Sequence, residues 1–259
     1  MTLLKLEKEN AHERDKRIIF DEESHTYTVD GKVYNGSVTG FIHKFFKDFD
    51  PEETINKYYK KWQDNTKHKY HGMTKDQIIK QWQTKAKLSS ELGTKLHRQI
   101  ELTYNSIPCD EPGEDFMLFA QYYKAHKHLK AYRTEWSVFH EELELAGQID
   151  MLYKDDKGNF ILCDWKRTEE IKLHAFSTNV QPPQMAQPPI QHLEDCNFIH
   201  YSIQLNIYKA ILKEKYNIEV TDMFLVKLHP DEPTYKKYHA LDLSFEVEQM
   251  FNMRYAGLR

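Results

Sequence analysis

Apolar and polar positions alternate over residues 143 to 153, and a more continuously apolar run follows over 160 to 166. Alternation with period two sends successive side chains to opposite faces of a strand. Asp155, Asp156, Lys157, Gly158 and Asn159 separate the two runs and favour a turn, so together they predict a β-hairpin centred near Lys157. A second alternating set surrounds Asp30 and Gly31 and predicts a hairpin over residues 17 to 34. Helical patterns are expected over 39 to 47, 51 to 63, 74 to 87 and 89 to 104, with Pro51 and Gly72 as punctuation, and again over 115 to 133. A strand over 134 to 141 leads into the central hairpin. Beyond it come a proline-rich loop or lid from Gln181 to Pro189, a helix over 199 to 216, strands over 222 to 228 and 235 to 241, and a terminal helix from about 244.

The order helix, three strands, helix, strand between 115 and 228 predicts an α/β (α+β) protein with an αβββαβ core and a mixed sheet, elaborated by an N-terminal hairpin and helices. Residues 1 to 110 form the elaboration and 111 to 259 the core, expected to make one integrated unit.

Within the central hairpin, Asp150 lies seven residues before Lys157 and Asp164 seven after, so antiparallel pairing sets the two carboxylates side by side. Lys166 projects from the same face as Asp164. Adjacent carboxylates repel unless a divalent cation neutralises them, and hard oxygen ligands suit magnesium or manganese. An ammonium group nearby can orient water or offset charge developing on a phosphoryl group. An Asp-x-Lys triplet is common on solvated turns. Here, however, Asp164 follows Ile161, Leu162 and Cys163 and precedes Trp165, and a charge inside a core-forming strand is costly unless it is paired or bound to metal.

With these residues in view, the chain resembles the PD-(D/E)XK nucleases, specifically their RecB-like exonuclease branch. Four motifs match in order between about residues 93 and 208: Gly93 to His97 as GxxxH, Gly147 to Asp150 as GxxD, Asp164-Trp165-Lys166 as DxK, and Gln204 to Tyr208 as QxxxY. Ile149 stands where the family name has proline, a position that the branch leaves loose. The resemblance implies a restriction-endonuclease-like fold and Mg²⁺ or Mn²⁺ as cofactor. His97, Asp150, Asp164 and the Trp165 carbonyl are then metal ligands, Lys166 is catalytic, and Gln204 and Tyr208 support the site or DNA. Some relatives hold an iron-sulfur cluster on four cysteines, three of them after QxxxY. Cys109, Cys163 and Cys196 are the three cysteines here and none follows Cys196, so no cluster is expected. Cys163 reads as a small buried apolar residue.

Spacing adds further candidates. His97 and Glu101 are i, i+4 on one helix, so Glu101 can orient His97 or reach metal through water. Gln204 and Tyr208 share a face in the same way, with helix packing as the competing reading. Glu135, which opens the first core strand, could be an added carboxylate, but the structural reading is favoured for it.

The 259 residues are 40% hydrophobic with a net charge of −4, suited to a globular enzyme rather than to a generally basic nucleic-acid protein. The charge is unevenly spread. Residues 57 to 98 hold ten Lys and one Arg against three acids, a local +8. Interleaved aromatics include Trp62 and Trp82, and cations that track a backbone beside rings that stack on bases suit single-stranded nucleic acid. Lys57, Lys60, Lys61, Lys67 and Lys69 are the expected contacts. For any one ring, packing into a helical core is the competing reading. No apolar run approaches a membrane span and the N-terminal segment lacks a leader pattern, so an intracellular location is expected. These readings converge on a metal-dependent exonuclease acting mainly on single-stranded DNA ends. An endonuclease of the same superfamily and a non-catalytic DNA-binding module remain as alternatives.

Overall fold

A computed structural model describes residues 3–109, 111–177 and 182–258. The chain begins with a short helix α1 (Lys5–Glu9) and a 3-10 turn. A three-stranded antiparallel sheet follows, β1 (Ile18–Asp21), β2 (Thr26–Val29) and β3 (Lys32–Tyr34), which is the N-terminal hairpin with one further strand. Helices α2 (Val38–His43), α3 (Pro51–Asp64), α4 (Lys75–Tyr104) and α5 (Glu114–Ala125) lead to the main sheet. That sheet has five strands in the order β4 (Lys130–His140), β5 (Leu145–Lys154), β6 (Phe160–Lys166), β7 (Val220–Lys227) and β8 (Lys236–His239). Helix α6 (Asn197–Tyr216) crosses over between β6 and β7, and α7 (Ser244–Leu258) closes the chain. The β6–β7 pair is parallel and the remaining pairs are antiparallel, so the expected αβββαβ order and mixed sheet are present.

Alternation along the central strands separates two cores. Met151, Tyr153, Cys163, Trp165 and Phe224 meet Leu96 and Ile100 of α4 and Phe119 and Tyr122 of α5. Leu152, Leu162 and Leu225 meet Ile203, Ile207 and Ile211 of α6, with α2 and α7 outside them. Each face of the sheet is thus covered by helices, and each fully buried aliphatic side chain contributes about 1.5 to 3 kcal/mol. Cys163 is fully buried, as its apolar neighbours imply. Among the described residues no helix is long and apolar enough to cross a membrane.

Two elements differ from expectation. The helices at 74 to 87 and 89 to 104 are one 30-residue helix, α4, because no residue between them breaks the backbone pattern. Its start is fixed by Thr74, whose side chain accepts from the Gln77 N–H in a capping box. The helix expected over 115 to 133 ends at Ala125, and the first core strand begins at Lys130 rather than 134.

The two ends of α4 pack against different things. Ile78 joins Ile55 and Tyr70 in a small separate core, while Leu96 and Ile100 enter the core beneath the sheet. Residues 83 to 91 between these ends are exposed on every side. At 1.5 Å per residue the helix is about 45 Å long, and α3 with the first turns of α4 forms a lobe on its own small core, tied to the segment after β6 by the Lys85–Glu169 ion pair.

Candidate metal centre

The turn at Asp155 to Asn159 is stabilised by Asp155, which accepts from the backbone N–H groups of Lys157 and Asn159. Met151 pairs with Cys163 and Lys154 with Phe160, so the hairpin is centred on Lys157. The next position in this register sets Asp150 beside Asp164. Asp150 reaches across to accept from the Trp165 N–H at 2.9 Å, and Lys166 Nζ lies 2.7 Å from Asp164 Oδ2. The convergence expected from residue spacing is therefore present.

Helix α4 brings His97 to the same place. Its Nε2 is 3.1 Å from the Trp165 carbonyl, and its Nδ1 is 3.4 Å from Glu135 and 3.6 Å from Asp150. One ligand atom from each of His97, Glu135 and Asp150 lies within 4.8 Å of the other two, an arrangement that can hold a metal ion. This ligand set differs from the expected one in two respects. The Trp165 carbonyl faces the His97 ring instead of standing free, a contact that orients the imidazole so that Nδ1 faces the carboxylates. Asp164 adjoins the group rather than belonging to it, being engaged with Lys166.

Glu135, read from sequence as structural, is the third member of the cluster. A register shift between Ala131 and Arg133 brings Thr134 opposite Met151 and Trp136 opposite Ile149, leaving Glu135 level with Asp150. Glu135 itself has φ of 43°, a left-handed conformation that costs a non-glycine residue on the order of 1 to 3 kcal/mol. Its carbonyl accepts from Gln148 Nε2, which helps to fix that geometry. Strain of this kind is retained where the fold over-determines it, and here it aims a carboxylate at His97.

The opposite wall comes from α6. Lys166 Nζ donates to Gln204 Oε1 at 3.3 Å and sits 4.4 Å from the centroid of the Tyr201 ring, a cation–π contact. Tyr208, one turn beyond Gln204, is 3% exposed and lies directly over Gly147. A Cβ built on Gly147 would fall 2.7 Å from the Tyr208 hydroxyl and 2.9 Å from Val38, so only glycine lets the ring approach. The glycine of one motif is thus the seat for the tyrosine of another, and Tyr208 has a packing role. Gly93 is different, with nothing within 4 Å of its would-be Cβ. Glu101 turns away from His97 and pairs with Arg98.

Electrostatics of the cluster reflect an excess of buried carboxylate. Burial pushes Asp164 up to about 6, with Asp150 adding to the rise and Lys166 opposing it. Burial also raises Asp150, against the pull of His97. For His97, burial alone would favour the neutral ring, but Asp150, Glu135 and Asp164 outweigh it and carry the imidazole up to about 10. Burial likewise works against charge on Lys166, and Asp164 and Asp150 reverse the direction and raise it. Asp164 Oδ2 is buried without a well-aimed hydrogen bond, its contact with Lys166 being ionic. Three carboxylates brought together and a proton held on imidazole are what a dication would relieve, so the donor set fits Mg²⁺ or Mn²⁺.

The basic segment is divided between surface and core. Lys57, Lys60, Lys61, Lys67 and Lys69 are exposed on α3 and the turn after it. Trp62 and Trp82 pack against the Ile55, Tyr70 and Ile78 core. Trp62 lies 5.4 Å from His68 in a stacked arrangement and 6.1 Å from Trp82 edge-on, while Trp82 Nε1 donates to the Tyr70 hydroxyl at 2.5 Å. Both indoles hold the lobe together, and the lysines form its outer surface.

No protein-family model matches the chain, and no curated protein matches it. A solved structure titled "Crystal structure of SSO0001" aligns with 98% of this chain and 82% of its own at 14% identity. Its TM-score of 0.33 is too low for the likeness to carry an argument.

Proposed function

We propose that this chain is a magnesium- or manganese-dependent deoxyribonuclease that hydrolyses phosphodiester bonds, mainly from the ends of single-stranded DNA. The observation that carries this reading is the meeting of His97, Glu135 and Asp150 with the Asp164–Lys166 pair at one end of the β5–β6 hairpin. His97, Glu135 and Asp150, with Asp164 beside them, would hold the cation, which when bound supplies neutralisation of phosphate oxygens and a more acidic water. Lys166 is fixed by Asp164, Gln204 and Tyr201, so its ammonium is already in place to donate to charge that builds on the phosphoryl group. Gln204 and Tyr201 position that ammonium. The Trp165 carbonyl orients His97. The exposed lysines of the α3–α4 lobe supply an attraction for a polyanion that does not depend on sequence.

The test is digestion of end-labelled linear single-stranded, circular single-stranded and duplex DNA with magnesium, manganese or EDTA. Cation-dependent loss of the linear single strand, with the circle spared, is the expected result. Cutting of the circle would replace this reading with an endonuclease, and binding without cutting under every cation would replace it with a DNA-binding module. His97→Ala should weaken manganese binding in calorimetric titration against the parent, and should lower the metal-free melting temperature because Asp150 and Glu135 lose their protonated partner.

A further inference from the structure

Immediately past the candidate centre, a cavity of about 730 Å³ opens at the carboxyl ends of the two parallel strands β6 and β7. In open parallel sheets ligands bind beyond the carboxyl ends of the strands, and β6–β7 is the parallel pair of this mixed sheet. Lys166 and Lys227 are register partners there, which sets their Cα atoms about 5 Å apart on neighbouring strands. The segment after Lys166 forms one wall, Asn197 at the start of α6 another, and Glu232, Lys236 and Tyr238 the third.

Lys227 is the built element of this cavity. It is only 3% exposed, and its Nζ donates at 2.6 Å to both the Glu169 carbonyl and Glu232 Oε1. An ammonium has three donors, so a third is left for another acceptor. Glu232 in turn binds Lys236 at 2.7 Å, fixing both lysines.

Charge decides what class of molecule such a cavity suits. Its lysines 172, 227 and 236 face glutamates 169, 170 and 232, and with Lys85 pairing Glu169 from α4 the excess is a single cation at the rim rather than a cluster that would hold a second phosphate. What remains is fixed hydrogen-bonding groups, the Thr168 hydroxyl and an aromatic wall at Tyr238, within a volume of the size that takes a small organic ligand. Resting on the phosphodiesterase reading for its substrate class, we infer that this cavity receives the neutral nucleoside part of the nucleotide next to the scissile phosphate. The phosphate itself would stay at Lys166, while base and sugar would be recognised by Lys227, Glu232, Lys236 and Tyr238.

The experiment needs no cleavage. The metal-free protein, labelled with ¹⁵N, is titrated with deoxyadenosine, with thymidine, and separately with 2-deoxyribose 5-phosphate and inorganic phosphate, and amide shifts are followed. The nucleosides should move amides of residues 168 to 172 and 236 to 238, 2-deoxyribose 5-phosphate should move them more weakly through its sugar, and inorganic phosphate should not. Lys236→Ala, at an exposed position, and Tyr238→Ala should each weaken nucleoside binding by about five-fold or more, the equivalent of roughly 1 kcal/mol. The proposal is overturned if the nucleosides shift no amides there, if inorganic phosphate binds there equally well, or if Lys236→Ala and Tyr238→Ala leave the affinity unchanged. Nucleoside binding in a protein that cuts no DNA would uphold the cavity and sink the nuclease reading. Cation-dependent cutting without nucleoside binding would do the reverse.

Discussion

The hairpin end of the main sheet and the α3–α4 lobe both concentrate charge, but they do so under opposite physical regimes. At the hairpin Asp164 is buried and Asp150 and Lys166 are half-buried, each is held by a named neighbour, and their protonation is displaced by burial and by one another. On the lobe the lysines are solvated, and the structural work is done by the rings beneath them. Buried charges depend on geometry and are costly to misplace, whereas surface charges act additively and are screened by salt. Substitutions in the first region should therefore have large, specific effects, and those in the second graded, salt-dependent ones.

The strongest test of that contrast is Lys166→Ala. It should lower cleavage by on the order of 10²-fold or more while DNA binding persists, as measured by single-turnover hydrolysis beside a filter-binding isotherm. Near-normal hydrolysis would remove Lys166 from the chemistry. Replacing Lys57, Lys60, Lys61, Lys67 and Lys69 together by Gln should instead weaken binding and flatten its dependence on salt, by a slope of roughly 0.7 for each phosphate no longer neutralised. An unchanged slope would mean that the lobe does not meet the strand.

Packing sharpens the same comparison. Gly147→Ala forces a methyl group against Tyr208 and Val38 and should cost about 1 to 3 kcal/mol in urea unfolding, with partial recovery when Tyr208 is also made smaller. Trp62→Ala should destabilise locally, by up to about 3 to 5 kcal/mol for a fully buried ring and less for this half-buried one. Hydrogen exchange should then accelerate in α3 and the first turns of α4 while amides around His97 keep their protection. Loss of protection at both places would show that the lobe is not an independent unit. The smallest effect belongs to Gly93→Ala, which fills open space in a helix interior and should add up to about 1 kcal/mol of stability. If activity falls while stability rises, the space over Gly93 is where the substrate passes.

Most of the site was legible because it rests on one local rule. Period-two alternation fixes which residues of a hairpin are neighbours, and Asp150, Asp164 and Lys166 follow from a turn centre alone. His97, Gln204 and Tyr208 came from motif resemblance, and the structure brings His97 and Gln204 to the same place while giving Tyr208 a packing partner in Gly147. Glu135 was not legible, because its approach to His97 depends on a register shift and a left-handed backbone that its side-chain chemistry does not announce. The only signal was a carboxylate next to the buried run that starts at Trp136. The unbroken length of α4 was hidden for a related reason. Ser89 and Ser90 are weak helix formers but not breakers, so their exposed position permits continuity without advertising it.

That continuity gives α4 the properties of a shaft. The segment from 83 to 91 touches no core, yet it is stiff along its axis, so the angular phase of the lobe about that axis is transmitted to His97 at the far end. Adding one residue within the segment would turn the lysine surface by about 100° relative to the imidazole, whereas adding seven would bring it nearly back into phase about 10 Å further away. The number of residues between Trp82 and His97 is thus a gear setting between the lysine surface of the lobe and the imidazole of the candidate centre.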